Sequence, residues 1–172
     1  CVVVDCMSFR RENGRILREP YEETVILLTG SQEIDSLLLN LPRVKVVGER
    51  IGNWYQRKIG LVSAIHTAIA WLGIYLGIGY TNEAARDPRI RAFIGSVIDE
   101  MVEAVYFGTG EQFDIEELRL YGNHTVRRVL NPNLPDSCMK FTRNLPAKLS
   151  FHERFAGPAI HYLSKHSRVP LT

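Results

Sequence analysis

The chain is 172 residues long, 45% hydrophobic and 23% charged, enough to bury the core of one domain and at most two. Its 21 basic and 19 acidic residues are spread along the sequence and nearly cancel, at a net charge of +2. That balance offers no basic face or stripe, so no nucleic-acid partner is expected, and no internal repeat or low-complexity tract points to a solenoid or a fibre.

The first fifty residues have a β texture. CVVVD, ETVILL and VKVVGERI are short, apolar, β-branched runs, separated by RRENGRILREP and NLPR, both of which read as turns. The opening CVVVDCMSF lacks the basic region and cleavage site of a targeting signal and reads as a buried strand. A first residue that is Cys1 and not Met suggests a piece of a longer protein. Cys1, Cys6 and Cys138 fit no zinc or disulfide spacing, and an odd count without a signal peptide favours a reducing cytoplasm.

From about Asn53 the texture turns helical. Ile59 to Tyr80 carries no Asp, Glu, Lys or Arg and predicts one apolar helix. Asp87 followed by Pro88 supplies an N-cap and a first-turn proline, and the apolar residues behind them recur at helical spacing as far as Gly108. Asp114 should cap a further helix ending at Asn131-Pro132. Ser150 and Glu153 form an S-x-x-E capping box ahead of a last helix that Pro158 should kink or shorten. The predicted fold class is mainly α: a small β-rich lead-in over residues 1–50, then four or so packed helices over residues 51–172. No G-x-G-x-x-G follows a strand, so the chain by itself is not a complete dinucleotide-binding enzyme.

The run from Ile59 to Tyr80 is long enough to cross a bilayer, for which about 20 apolar residues suffice. Ser63, His66 and Thr67 lie within it, glycines interrupt it, and no second such run exists. A histidine in a membrane is costly without a partner, so a helix buried on all sides of a globular core is the preferred reading.

Within QRKIGLVSAIHTAIAWLG, Lys58 precedes Ser63 by five positions and His66 by eight. Eight residues of α-helix rise about 12 Å and turn by about 80° from start to end, so a leaning lysine and the imidazole can line one cleft. On spacing alone, a solvated lysine at the helix mouth and a packed core histidine are the stronger reading. Asp5, Lys140, Arg143 and Lys148 are likewise readable as a turn aspartate and solvated charges. His124, His152, His161 and His166 read as surface or partly packed residues, and no metal site is expected among them.

These segments resemble the mannitol-type, long-chain polyol dehydrogenases. That family carries K-x4-N-x2-H at the start of a buried helix in its C-terminal domain, and Lys58, Ser63 and His66 stand at those positions. Its NP-x-L-x-D motif, followed by basic residues and KLS…R…P, reappears as NPNLPD from Asn131 to Asp136, then Lys140, Arg143, Lys148-Leu149-Ser150, Arg154 and Pro158. Its V-D-R-I-x-P segment has a counterpart in VVDCMSF, where Asp5 is kept, Cys6 replaces the arginine and Phe9 the proline. Within the family the mannitol-1-phosphate 5-dehydrogenases are the nearest subgroup.

The resemblance implies a multi-helical domain similar to the C-terminal domain of 6-phosphogluconate dehydrogenase, residues 1–50 being the end of a preceding dinucleotide-binding (Rossmann) domain. It implies hydride transfer between NAD(H) or NADP(H) and a carbinol carbon, without a metal, on a polyol, sugar phosphate or sugar acid. Lys58 inherits the role of general acid or base, and His66 that of a hydrogen-bond donor to the developing alkoxide. Ser63 stands where the family has asparagine and cannot present an amide NH2; losing one such donor costs about 10²- to 10³-fold in rate. Asp5, Lys140, Arg143 and Lys148 inherit substrate contacts, with Lys140 replacing an arginine and so losing planar, bidentate recognition. A cytoplasmic protein is implied, inactive as this piece alone because its nucleotide domain would precede Cys1 and further helices would follow Thr172. Two other readings stay open: a non-catalytic homologue that binds a sugar phosphate or sugar acid, and a single-span membrane protein.

Overall fold

The computed structural model describes residues 2–10, 14–27, 31–48, 50–151 and 153–166. Cys1 and His152 lie outside them. The chain is mainly α-helical with a small β-rich part at its start, and it divides into two compact units, residues 1–56 and 57–172.

In the first unit, β1 (Val2–Asp5) pairs antiparallel with β4 (Glu23–Leu27), which pairs in parallel with β5 (Val44–Val47). A parallel neighbour requires a crossover, and α1 (Gln32–Leu39) supplies it. β2 (Ser8–Arg10) and β3 (Ile16–Arg18) form a separate antiparallel pair. The three apolar runs are therefore strands, as their composition predicts, but the segments between them are not merely turns. β3 lies within RRENGRILREP, and α1 precedes NLPR, with Ser31 accepting the Ile34 N–H and Glu33 and Asp35 in the first turn, where acidic side chains favour a helix start. Val3, Val25 and Ile51 form this unit's core, with Val47 and Trp54 against it.

α2 (Ile51–Lys58) leads into one turn of π-helix (Ile59–Ser63) and then α3 (Ala64–Tyr75). By length and composition the run Ile51–Tyr75 could cross a membrane, yet Leu61, Ala64, Ile65, Thr67, Ile69 and Ala70 are fully buried in this fold. A helix apolar on every side suits the middle of a helical bundle. It ends five residues before Tyr80. Gly77 has φ +75°, its N–H donates to the Ile74 carbonyl and that of Ile78 to Gly73, a Schellman stop that the glycine alone permits without strain. After a short α4 (Thr81–Ala84) come α5 (Pro88–Gly108), capped by Asp87, and α6 (Ile115–Val129), capped by Asp114. Both caps and both ends fall where the sequence predicts them.

The last helix differs. The Ser150 hydroxyl donates to the Ala147 carbonyl and caps nothing; after α7 (Leu145–Lys148) the chain turns, and α8 spans Ala156–Lys165 without a side-chain cap. Pro158 shortens the helix rather than kinking it. It sits in the first turn, where its missing N–H costs nothing. Gly157 makes that start possible, since a Cβ there would collide with the Phe151 carbonyl oxygen.

The turn after α3 docks a distant segment against the bundle. Cys138 N–H donates to the Gly79 carbonyl and Thr81 N–H to that of Asp136, while Tyr80 bridges Ser137. This short antiparallel contact lays the 3-10 segment Cys138–Thr142 along α3. Gly73 allows the close approach: a Cβ there would lie 2.9 Å from Ala84 Cβ and 3.0 Å from Cys138 Sγ. Gly73→Ala should therefore lower stability by about 1–3 kcal/mol, the usual cost of overpacking, read as a lower urea midpoint with an unchanged slope.

Candidate functional site

The site begins with the π turn. Its i→i+5 bonding, with the Ala64 N–H donating to the Ile59 carbonyl, inserts one residue relative to an α-helix. Each inserted residue withdraws about 100° of rotation. Lys58 and Ser63 then stand about 40° apart instead of about 140°, and Lys58 and His66 about 20° apart at a rise of about 10 Å. A regular helix would have splayed these three side chains; the π turn phases them along one flank. Burial grades along that flank, Lys58 and Ser63 being half-buried and His66 only 8% exposed.

His66 is enclosed by both elements that the antiparallel contact draws in. Its Nε2 lies 3.5 Å from Thr81 Oγ1, and its ring sits 4.4 Å, centroid to centroid, from that of Phe141. Burial, reinforced by the nearby cations Lys140, Arg128 and Arg154, lowers its pKa to about 3. At neutral pH it is an uncharged imidazole with a single N–H, suited to donating a hydrogen bond and unsuited to carrying a proton back and forth.

The Phe141 carbonyl accepts two donors, Trp71 Nε1 at 3.2 Å and Lys148 Nζ at 2.7 Å. Lys148 is thus fixed beside the aromatic wall of His66. Desolvation first, then the charges of Arg154 and Arg143, lower its pKa, with Glu153 opposing. Lys140 Nζ is held 2.8 Å from Asp136 Oδ1. Arg143 is exposed, with no hydrogen bond or ion pair among the described residues. Lys58, Ser63, His66, Lys140, Arg143 and Lys148 all belong to the second unit. Asp5 belongs to the first, where it is 3% exposed and paired in register with Glu23.

Several contributors carry no signal of their own in the sequence. Thr81 and Phe141 pack against His66, Arg128 acts on it electrostatically, and Arg154, a motif letter only, donates to Thr67 at 3.1 Å. Only the tertiary fold joins residues so far apart in the chain. Of the remaining histidines, His166 stacks on Tyr162 and the His161 ring packs over Gly108. No group of three or more His, Cys, Asp or Glu able to hold a metal occurs among the described residues. A cavity of about 440 Å³ lined by Trp71, Leu72, Phe93, Val97, Phe155 and Ala159 is apolar and contains none of the candidate residues.

Residues 50–168 match the mannitol dehydrogenase C-terminal domain family. The chain belongs to that family. Among its relatives is the mannitol-1-phosphate 5-dehydrogenase of Arthrobacter sp. (strain FB24), 31% identical over 153 residues, covering 89% of this chain and 35% of the relative. The enzyme of the same name from Emericella nidulans is 31% identical over 150 residues, 86% of this chain and 38% of the relative. That from Brevibacillus brevis is 28% identical over 152 residues, 87% and 37%. The chain spans about a third of the length of the curated relatives it matches.

The depressed His66 pKa ties stability to pH. Its folded value of about 3 lies below the ordinary 6.5, so the unfolded chain takes up a proton that the folded one refuses. Its contribution is complete above pH 6.5 and is lost as pH falls from there toward 3, at up to about 1.4 kcal/mol per pH unit. Urea unfolding at pH 7 and pH 5 should show His66→Gln losing less stability on acidification than wild type, by about 2 kcal/mol. Equal losses would contradict a buried neutral imidazole.

Proposed function

We propose that this chain is the substrate-binding and catalytic helical domain of a nicotinamide-dependent polyol or sugar-phosphate oxidoreductase, of the mannitol-1-phosphate 5-dehydrogenase kind. What supports this reading is the π turn, whose inserted residue brings Lys58 and the buried, neutral His66 to about 20° of one another around the helix axis, together with Lys148 held at the Phe141 carbonyl. NAD(H) or NADP(H), held by a preceding Rossmann domain of the full-length protein, would take or give the hydride.

The residues here have the complementary task. Lys58 Nζ takes the proton from the substrate hydroxyl during oxidation and returns it during reduction. His66 donates its one N–H to the same oxygen as negative charge builds there. Ser63, one turn from Lys58, offers a hydroxyl to that oxygen or to a bridging water. Lys148, Arg143 and Lys140 hold the far, anionic end of an extended substrate. The reading needs no metal, nucleic acid or membrane, and it fits a cytoplasmic metabolic enzyme.

In the full-length protein, Lys58→Met should lower kcat for mannitol 1-phosphate oxidation by about 10²- to 10⁴-fold without moving the unfolding midpoint; retained turnover would overturn the assignment. A second reading, a non-catalytic homologue that binds a sugar phosphate or sugar acid, draws on Ser63, whose side chain replaces an amide donor. It predicts no turnover in the wild type and its appearance in Ser63→Asn, whereas the enzyme reading predicts measurable wild-type turnover.

A further inference from the structure

The segment ahead of α8 carries a guanidinium to which the proposed chemistry gives no task. The Arg154 side chain is 16% exposed, and its Nη1 reaches across 87 positions to donate to Thr67 Oγ1 at 3.1 Å. Thr67 is fully buried and follows His66 directly in α3. On its other edge, Nε and Nη2 donate to Glu153 Oε2 at 3.3 and 3.2 Å. A guanidinium has five N–H donors, so one on each of Nη1 and Nη2 takes no partner among the described residues.

The surroundings of those two donors are cationic. Arg154 acts electrostatically on both His66 and Lys148, and Arg143 acts on Lys148 as well. Lys148 and His66 are joined through Phe141, one at its carbonyl and the other at its ring. Against Lys140, Arg143, Lys148 and Arg154 stand two carboxylates, Asp136 on Lys140 and Glu153 on Arg154. These four cations and two anions leave a surplus of two positive charges; Lys140 and Arg143 are exposed, but Lys148 and Arg154 are part-buried, where like charges disfavour one another unless an anion joins them. A phosphate dianion carries the matching charge, and its oxygens suit a pair of guanidinium N–H groups better than a point ammonium would.

We propose that Arg154, with Lys148 beside it, binds the phosphate of the substrate and so makes this site prefer a phosphorylated over a neutral polyol. The inference rests on the oxidoreductase reading for its substrate, but not for its phosphate contact. The competing role is a staple, in which Arg154 only ties the lead-in of α8 to α3 through Thr67.

The test compares wild type, Arg154→Met and Arg154→Lys in the full-length protein. The first readout is the ratio of kcat/KM for mannitol 1-phosphate to that for mannitol. The second is the rise in unfolding midpoint on adding inorganic phosphate. Arg154→Met should cut the ratio by about 10- to 100-fold, the range for losing a charge-assisted contact, and abolish the phosphate-induced rise; Arg154→Lys should recover part of both. A staple would lower the starting midpoint and reduce both activities together, leaving the ratio and the phosphate-induced rise unchanged, and that result would overturn the proposal. If wild type oxidises neither polyol, the oxidoreductase reading fails, and the phosphate titration decides the role of Arg154 by itself. Should Arg154→Met not fold, Arg154→Lys carries the test, with an unaltered phosphate response counting against the proposal.

Discussion

One carbonyl oxygen organises the candidate site. The Phe141 carbonyl accepts both the Trp71 indole N–H from α3 and the Lys148 ammonium, while the ring of the same residue closes over His66. The two hydrogen bonds to this part-buried carbonyl tie the 3-10 segment, the lysine and the imidazole wall together. The segment reaches α3 because the Schellman stop at Gly77 turns the chain back early enough for residues 79–81 to pair with residues 136–138. Remove the stop, and the helix would run through the residues that form the pairing.

The π turn is the second constraint. Lys58, Ser63 and His66 are spaced by five and three positions, which an unbroken α-helix would not align. One inserted residue restores the phase, and the buried residues around it, Ile59, Gly60, Leu61 and Val62, supply the packing that holds an otherwise unfavourable turn. His66 becomes neutral because the same packing desolvates it and cations surround it. Geometry and protonation state therefore have one origin, the burial of the segment from Ile59 to Ala70.

Much of this is legible in the sequence, and the failures are physical. Asp87-Pro88 and Asp114 act locally, so their caps can be read directly. The absence of charge after Ile59 correctly marks a buried helix, although it hides Gly77 as the stop. α1 escapes a sequence reading because its exposed apolar residues Ile34, Leu37 and Leu39 face no buried partner within the helix and follow a strand-like run. Ser150 and Glu153 match a capping box, but a glycine and a proline at 157 and 158 favour a later start, and the serine turns to Ala147 instead. The π turn depends on packing from α5 and α6, and the Arg154–Thr67 contact spans 87 positions. Neither leaves a periodic trace. Lys58, Ser63 and His66 are singled out by the family motif alone; counted on a regular helix, their spacing sets them further apart around the axis than the π turn does.

In the second unit Lys58 is half-buried and His66 buried, while the cations Lys148, Lys140 and Arg154 are held by the Phe141 carbonyl, Asp136 and Glu153. In the proposed reading one extended substrate spans these groups, its reactive hydroxyl at Lys58 and its anion at the cations. The central claim is that these groups face one ligand. Its most direct measurement is a crystal structure of the full-length protein with mannitol 1-phosphate bound. The Lys58 Nζ and a His66 ring nitrogen should lie within about 3 Å of one substrate oxygen, with the phosphate beside Lys148. A ligand bound elsewhere, with the amine and the imidazole opening onto separate surfaces, would contradict the claim.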